Sequence, residues 1–157
     1  MGTNNINDVA ARITEHFDSS ISTMKLQKLC FFAQGWSLAL LGAPFFNADF
    51  EAWKNGPVNY DLWRQHQGMY QVSRWASGDS SVLNPKQDIV MDAVLKNYGA
   101  LSGLQLSALT HKPGTPWFVT RAKAGVAEGE SSHEVISQET MAAFFKKSLL
   151  ESGHAAR

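Results

Sequence analysis

Cysteine is nearly absent from this sequence. Cys30 stands alone, so the chain can form neither an intrachain disulfide nor a cysteine-built metal cage. Charge of one sign is not in excess either: 14 Lys and Arg face 14 Asp and Glu. Met1–Gly78 and Asp79–Arg157 are each balanced on their own. Proteins that track phosphate backbones carry a basic surplus, so nucleic acid and anionic membrane surfaces are disfavoured as partners. No separate helix-turn-helix domain is expected beside the main one. Long apolar runs are missing too. Gln34, Gly35 and Ser37 break the stretch Leu29–Leu41, and Met1–Asp18 is polar, which argues against a membrane span and a signal peptide. A cytoplasmic protein is expected. The glycine patterns that cradle phosphates are absent, as are internal repeats. His16, His66, His111, His133 and His154 show no metal-ligand spacing. No metal and no cofactor is expected.

What remains is an ordinary globular composition, 44% hydrophobic and 18% charged, with an unusual stock of aromatics: five Trp, nine Phe and three Tyr. A chain of this length buries enough surface to need no staple. It reads as a single domain over 1–157, with its core at about 8–149 and a frayed tail at 150–157.

Periodicity predicts a mainly α protein: a compact helical bundle around a buried central helix, with a minor β element. Asn7–Phe17 forms a first helix with Val9, Ala10, Ile13 and Phe17 on its face. Ser22 or Thr23 caps a helix over Met24–Leu41 that Gly42 ends. Its apolar residues run almost all round, as in a helix buried on several sides. Phe50–Trp53 reads as a strand, Lys54–Pro57 as a turn, and Asn59 as the cap of a helix ending near Gly68. Short strands are expected at Tyr70–Val72 and Val135-Ile136. Pro85 opens a helix whose face is Ile89, Ala93, Val94 and Tyr98; Ser102 and Gln105 make a capping box ahead of Leu106 and Leu109. Thr115-Pro116-Trp117 starts another turn of helix. Ala124–Glu134 is an exposed loop, and Ser137 caps a last helix with Met141, Phe144, Phe145 and Leu149 inward.

Candidate chemistry is sparse. Cys30 sits among Leu29, Phe31 and Phe32 and is expected to be an inert core thiol. His111 and Lys112 suit a helix C-terminus, where cations meet free carbonyls. Glu51 lies close to Lys54, as in a semi-buried ion pair. One enzymatic alternative stands: a small enzyme in which the fold gathers Glu51, His111 and Lys112 into one pocket.

The run Met24-Lys25-Leu26-Gln27-Lys28-Leu29-Cys30-Phe31-Phe32-Ala33-Gln34-Gly35-Trp36 resembles the signature of the Panacea domain, the family of SocA-like antitoxins and phage-associated GepA-like proteins. Three further blocks resemble it in order: Glu51–Val58 with Gly56 and Pro57, then Leu101-Ser102 with Leu106–His111, then Pro116-Trp117. Ile136-Ser137 and the helix to Phe145 also fit, so the resemblance spans about Asp8 to Leu149. Cys30-Phe31-Phe32 departs mildly from the family's usual aliphatic and Tyr residues. The resemblance implies an antitoxin of a toxin–antitoxin system that neutralises a toxin protein encoded nearby by direct contact. It also implies, in SocA-like members, a proteolytic adaptor that delivers the toxin to the ClpXP protease. Of the motif residues, Leu26, Leu29, Gly35, Trp36, Gly56, Pro57, Ser102, Thr110, His111, Pro116 and Trp117 are expected to be structural. Lys25, Lys28, Gln34, Trp53, Lys54 and Trp63 are the expected partner contacts, through whatever part of each is exposed.

Overall fold

Helix boundaries follow from local capping chemistry. In the computed structural model, which describes residues 5–155 and the side chains of 5–151, Asn5 and Asp8 form a reciprocal box at the start of α1 (Ile6–His16). Ser22 Oγ accepts the Lys25 N–H at 3.0 Å and starts α2 (Thr23–Leu41); Gly42, at φ 72°, ends it. Asn59 caps α3 (Tyr60–His66). Asn84 with Gln87, and Ser102 with Gln105, box the starts of α4 (Pro85–Tyr98) and α5 (Gly103–Thr110). Thr115 caps α6 (Pro116–Lys123), and Ser137 Oγ accepts the Thr140 N–H at the start of α7 (Gln138–Ala155). Each cap satisfies a backbone donor that the helix leaves without a partner.

The strands are short. β2 (Phe50–Trp53) is central in an antiparallel sheet of order β3-β2-β5, with β3 at Gly56–Val58 and β5 at Val135–Ile136. Glu51 pairs with Val58 and Val135, and Phe50 pairs with Ile136. A second pair joins β1 (Ile21–Ser22) to β4 (Gln71–Val72). The fold is mainly α with minor β.

α2 is the hub. It packs on α1, α4, α5, α7 and β3, and its buried residues occupy every side of the helix. The seam with α7 is aromatic. Phe145 sits edge-on to Phe31, Phe32 and Trp36, at centroid distances of 6.0, 6.1 and 5.2 Å. Its ring covers Gly35 so closely that a Cβ there would run into it. The glycine of the central helix is a contact requirement, although glycine weakens a helix by itself.

Three expectations are corrected. α4 turns Val90, Met91, Val94 and Leu95 inward and leaves Ile89 68% exposed, with Ala93 only half-buried. A stripe through Ile89 would take Asp92 and Lys96 into the core; instead Asp92 is outside, bonded to Arg12 at 2.6 Å. Leu149 is partly exposed at the rim of a groove that it lines with Trp36 and Leu40. The tail expected to fray at 150–157 is helical through Ala155; Ala156 and Arg157 lie outside the described residues.

Candidate functional site: the clamped hairpin and its cleft

The β2–β3 hairpin is where the dispersed motif blocks meet. Side chains from three helices donate to carbonyl oxygens of the hairpin. Arg121 Nη1 donates to Ala52 O at 2.9 Å and Trp117 Nε1 to Trp53 O at 2.6 Å. Ser107 Oγ donates to Asn55 O at 2.7 Å and Lys28 Nζ to Pro57 O at 3.1 Å. The remaining turn carbonyl, Lys54 O, lies 3.3 Å from His111 Nε2. Gln27 extends the set to Asn59, accepting its N–H at 2.9 Å and donating to its carbonyl at 3.1 Å, as a neighbouring strand would. Among the described residues no buried side-chain nitrogen or oxygen lacks a partner, as a well-specified polar junction requires.

Gly56 makes this geometry possible. Its φ is 122°, a region that side chains rarely adopt, and a Cβ would come within 2.7 Å of Lys28 Cε. The Lys28 stem therefore lies directly on the turn. Lys28 is almost fully buried, and burial lowers its pKa to about 7.

A cleft of about 300 Å³ opens beside the turn. Lys28, Gln27 and Met24 of α2 form one wall and Trp53, Lys54 and Asn55 of the hairpin another; Trp63 and His66 of α3 with Met69 close it. His66 is buried with its Nε2 3.0 Å from the Gln27 amide nitrogen. That amide only donates, so the ring accepts there and is neutral. Burial comes first in lowering the His66 pKa, and the nearby Lys28 charge lowers it further.

Outside the cleft mouth the aromatics are stepped. Trp53 meets Trp63 edge-on at 5.4 Å, Trp63 faces Tyr60 at 5.7 Å, and His133 lies 4.9 Å from Trp53. Tyr60, Met69 and Tyr70 are exposed large side chains around this face.

Of the six expected partner contacts, the fold gathers four, Lys28, Trp53, Lys54 and Trp63, around one cleft. The other two lie elsewhere. Gln34 is 1% exposed, its amide bonded to the Phe45 and Phe46 backbone, so it offers no partner surface. Lys25 donates to Gly99 O at 2.6 Å and sits over the Phe17 ring, tying α2 to the end of α4. Lys28 contributes only as the cleft floor, because its stem is sealed under the turn.

The motif residues expected to be structural are placed as follows. Leu26, Leu29 and Trp117 are buried, and Gly35 takes Phe145. Trp36 Nε1 donates to the Tyr98 hydroxyl at 2.9 Å. Thr110 O accepts from Thr115 Oγ1 at 2.6 Å, which joins Ser102-capped α5 to Pro116. His111 ends α5 with Nδ1 2.5 Å from Ser107 O and its ring on Trp117. Cys30 is fully buried, and burial pushes its thiol pKa up, away from a reactive thiolate.

The alternative site is not assembled. Glu51 takes the Trp53 indole at 2.8 Å and His133 Nδ1 at 3.0 Å, and makes no pair with Lys54. His111 lines a hollow with Trp117 and Arg121, and Lys112 a different one with Phe144 and Pro116. Glu51 lines neither of these two hollows. Among the described residues no group of His, Cys, Asp and Glu could hold a metal, and no helix is long and apolar enough to cross a membrane.

Gln27, His66 and Arg121 escaped sequence reasoning. One signal was available for Gln27: a polar residue on a helix buried all round must have a buried partner. Arg121 and His66 reach their partners only through the fold.

The profile of the SocA-like antitoxin family, the Panacea domain, matches residues 26–118, from the third residue of the first block through Pro116-Trp117. Ile136-Ser137 and the last helix fall outside that match. A curated relative, Antitoxin SocA of Caulobacter vibrioides (strain NA1000 / CB15N), is 36% identical over 114 residues, covering 65% of this chain. The alignment spans only 61% of that relative's own length. No solved structure gives a significant match. On the family match, which takes in more than half of the sequence and all four motif blocks in part or whole, the chain belongs to the SocA-like antitoxin family of Panacea-domain proteins.

Proposed function

We infer that the chain is an antitoxin that neutralises a toxin protein encoded beside it, by direct contact in the cytoplasm. The observation that carries this reading is the face that Tyr60 and Trp63 of α3 form with Trp53 of the hairpin, whose carbonyls are clamped from behind. Half-exposed aromatic rings at the centre of a face are the usual anchors of protein interfaces. Rings held on a rigid support lose little further freedom when a partner binds. Family membership and the balanced charge agree with a protein partner.

The test is co-expression with the neighbouring open reading frame. The neighbour alone should arrest growth, and this chain should restore it. Trp63→Ala should weaken the complex roughly thirtyfold, as expected for an anchor worth about 2 kcal/mol. A harmless neighbour, or one that stays toxic beside the wild-type chain, ends the antitoxin reading. The toxin's half-life in the same cells separates sequestration from delivery to ClpXP: sequestration leaves it unchanged or longer, delivery shortens it.

A further inference from the structure

The cleft beside the hairpin has a charge character that the aromatic face alone does not explain. Lys28 and Lys54 line it, with His66 on the α3 side, and no Asp or Glu lines it among the described residues. The nearest carboxylate on the hairpin, Glu51, is turned to the Trp53 indole and His133. Lys28 carries three donors and uses one, on Pro57 O. A buried ammonium without a counter-ion is out of keeping with how proteins handle charge. Here Lys28 lines the floor of an open cleft walled by Trp53 and Trp63 and by Met24 and Met69, with its amine held on the Pro57 carbonyl.

We propose that the cleft takes a carboxylate side chain of the toxin's docking segment, seated on the Lys28 amine between the Trp53 and Trp63 rings. The stem of a Glu or Asp would lie on the apolar walls while its oxygens take the two unused Lys28 donors. The bond is charge-assisted and water is excluded from it. The arriving anion favours the protonated amine, offsetting the burial that lowers its pKa. The groups that face Lys28 are His66 from α3, Lys54 from the hairpin and the Thr110 hydroxyl of α5, which packs at the same point of Gly56. None of them is an anion. The volume, about 300 Å³, is small for a cofactor and suits a side chain. The assignment of the carboxylate to the toxin rests on the antitoxin reading above; the carboxylate preference of the cleft does not.

Two measurements test it. In the first, phenylacetate and its neutral analogue phenylacetamide are titrated into the full chain while the indole N–H signals of Trp53 and Trp63 are followed by NMR. At about pH 6 the carboxylate should bind roughly tenfold more tightly than the amide, and by about pH 9 the preference should be gone as Lys28 loses its proton. Lys28→Met should abolish the preference at every pH. An equal response to the two probes, including none, or a preference that survives in Lys28→Met, overturns the proposal. The wild-type titration reads the site even if the variant folds poorly. In the second, Lys28→Met is measured against the purified neighbour protein, where affinity should fall about tenfold or more; unchanged affinity overturns the toxin assignment. A neighbour that does not bind the wild-type chain defeats the antitoxin reading alone and leaves the first result standing.

Discussion

The α2–α7 seam and the β2–β3 hairpin are both centred on aromatic rings, but different forces fasten them. At the seam, Phe145 is enclosed by Phe31, Phe32 and Trp36 and presses on Gly35, with dispersion and burial holding it. At the hairpin, Trp53 and Trp63 remain half-exposed, and the fastening is polar: Arg121, Trp117, Ser107 and Lys28 each hold one carbonyl. An apolar seam is non-directional and supplies stability. A set of hydrogen bonds fixes distances and angles and supplies a shape. The division of labour leaves the hairpin's outer rings free for a partner without loosening the core.

The comparison can be broken at its apolar end first. Phe145→Ala should lower stability by about 3–5 kcal/mol, the range for deleting a fully buried Phe, with denaturant unfolding as the measurement. A loss near 1 kcal/mol would mean that the seam collapses onto the gap and is not the main store of stability.

A smaller effect separates the two regions by pH. The unfolded chain keeps the Lys28 proton up to about 10.5, the folded chain only up to about 7. Between those values the unfolded state binds more protons, so stability climbs with pH. Below about 7 the burial penalty is present in full. From about pH 7 to pH 9 the wild-type chain should gain on the order of 2 kcal/mol from this group. Lys28→Met should lack that climb, and Phe145→Ala should keep it. Parallel pH profiles for wild type and Lys28→Met would show that Lys28 is not sealed under the turn.

The smallest change sharpens the polar end. Ser107→Ala strips one clamp and leaves Asn55 O without its donor, which costs about 1 kcal/mol. Thermal unfolding should detect that loss, and hydrogen exchange should show it concentrated in the hairpin amides. Exchange that speeds up evenly across α2 and α7 would mean the two regions are one cooperative unit.

Much of the fold was legible because its signals are local. Capping chemistry at Ser22, Asn59, Asn84, Ser102 and Thr115 marks helix starts with no help from tertiary structure, and the all-round apolar pattern of α2 announces a central helix. The site was legible only in part. Trp53, Lys54 and Trp63 could be singled out as an aromatic and a cationic cluster, but Gln34 and Lys25 could not be separated from them. On a helix surrounded by other helices, sequence position does not say which neighbour a polar side chain meets. Ile89 shows the same limit on a smaller scale. Two adjacent stripes of α4 both hold apolar residues, and the charged residues each would carry inward, Asp92 and Lys96 in one case, decide between them.

The sequence by itself determined a neutral, aromatic-rich, mainly helical domain, its helix ends and its family, because these depend on composition, on contacts within one turn, and on motif order. Only the tertiary structure decided that residues as far apart as Lys28, Asn55, Ser107, Trp117 and Arg121 converge on one hairpin, that Lys28 is buried without an anion, and that Glu51, His111 and Lys112 stay apart. Those facts rest on long-range packing around α2, where the position of each side chain is set by every element that encloses it.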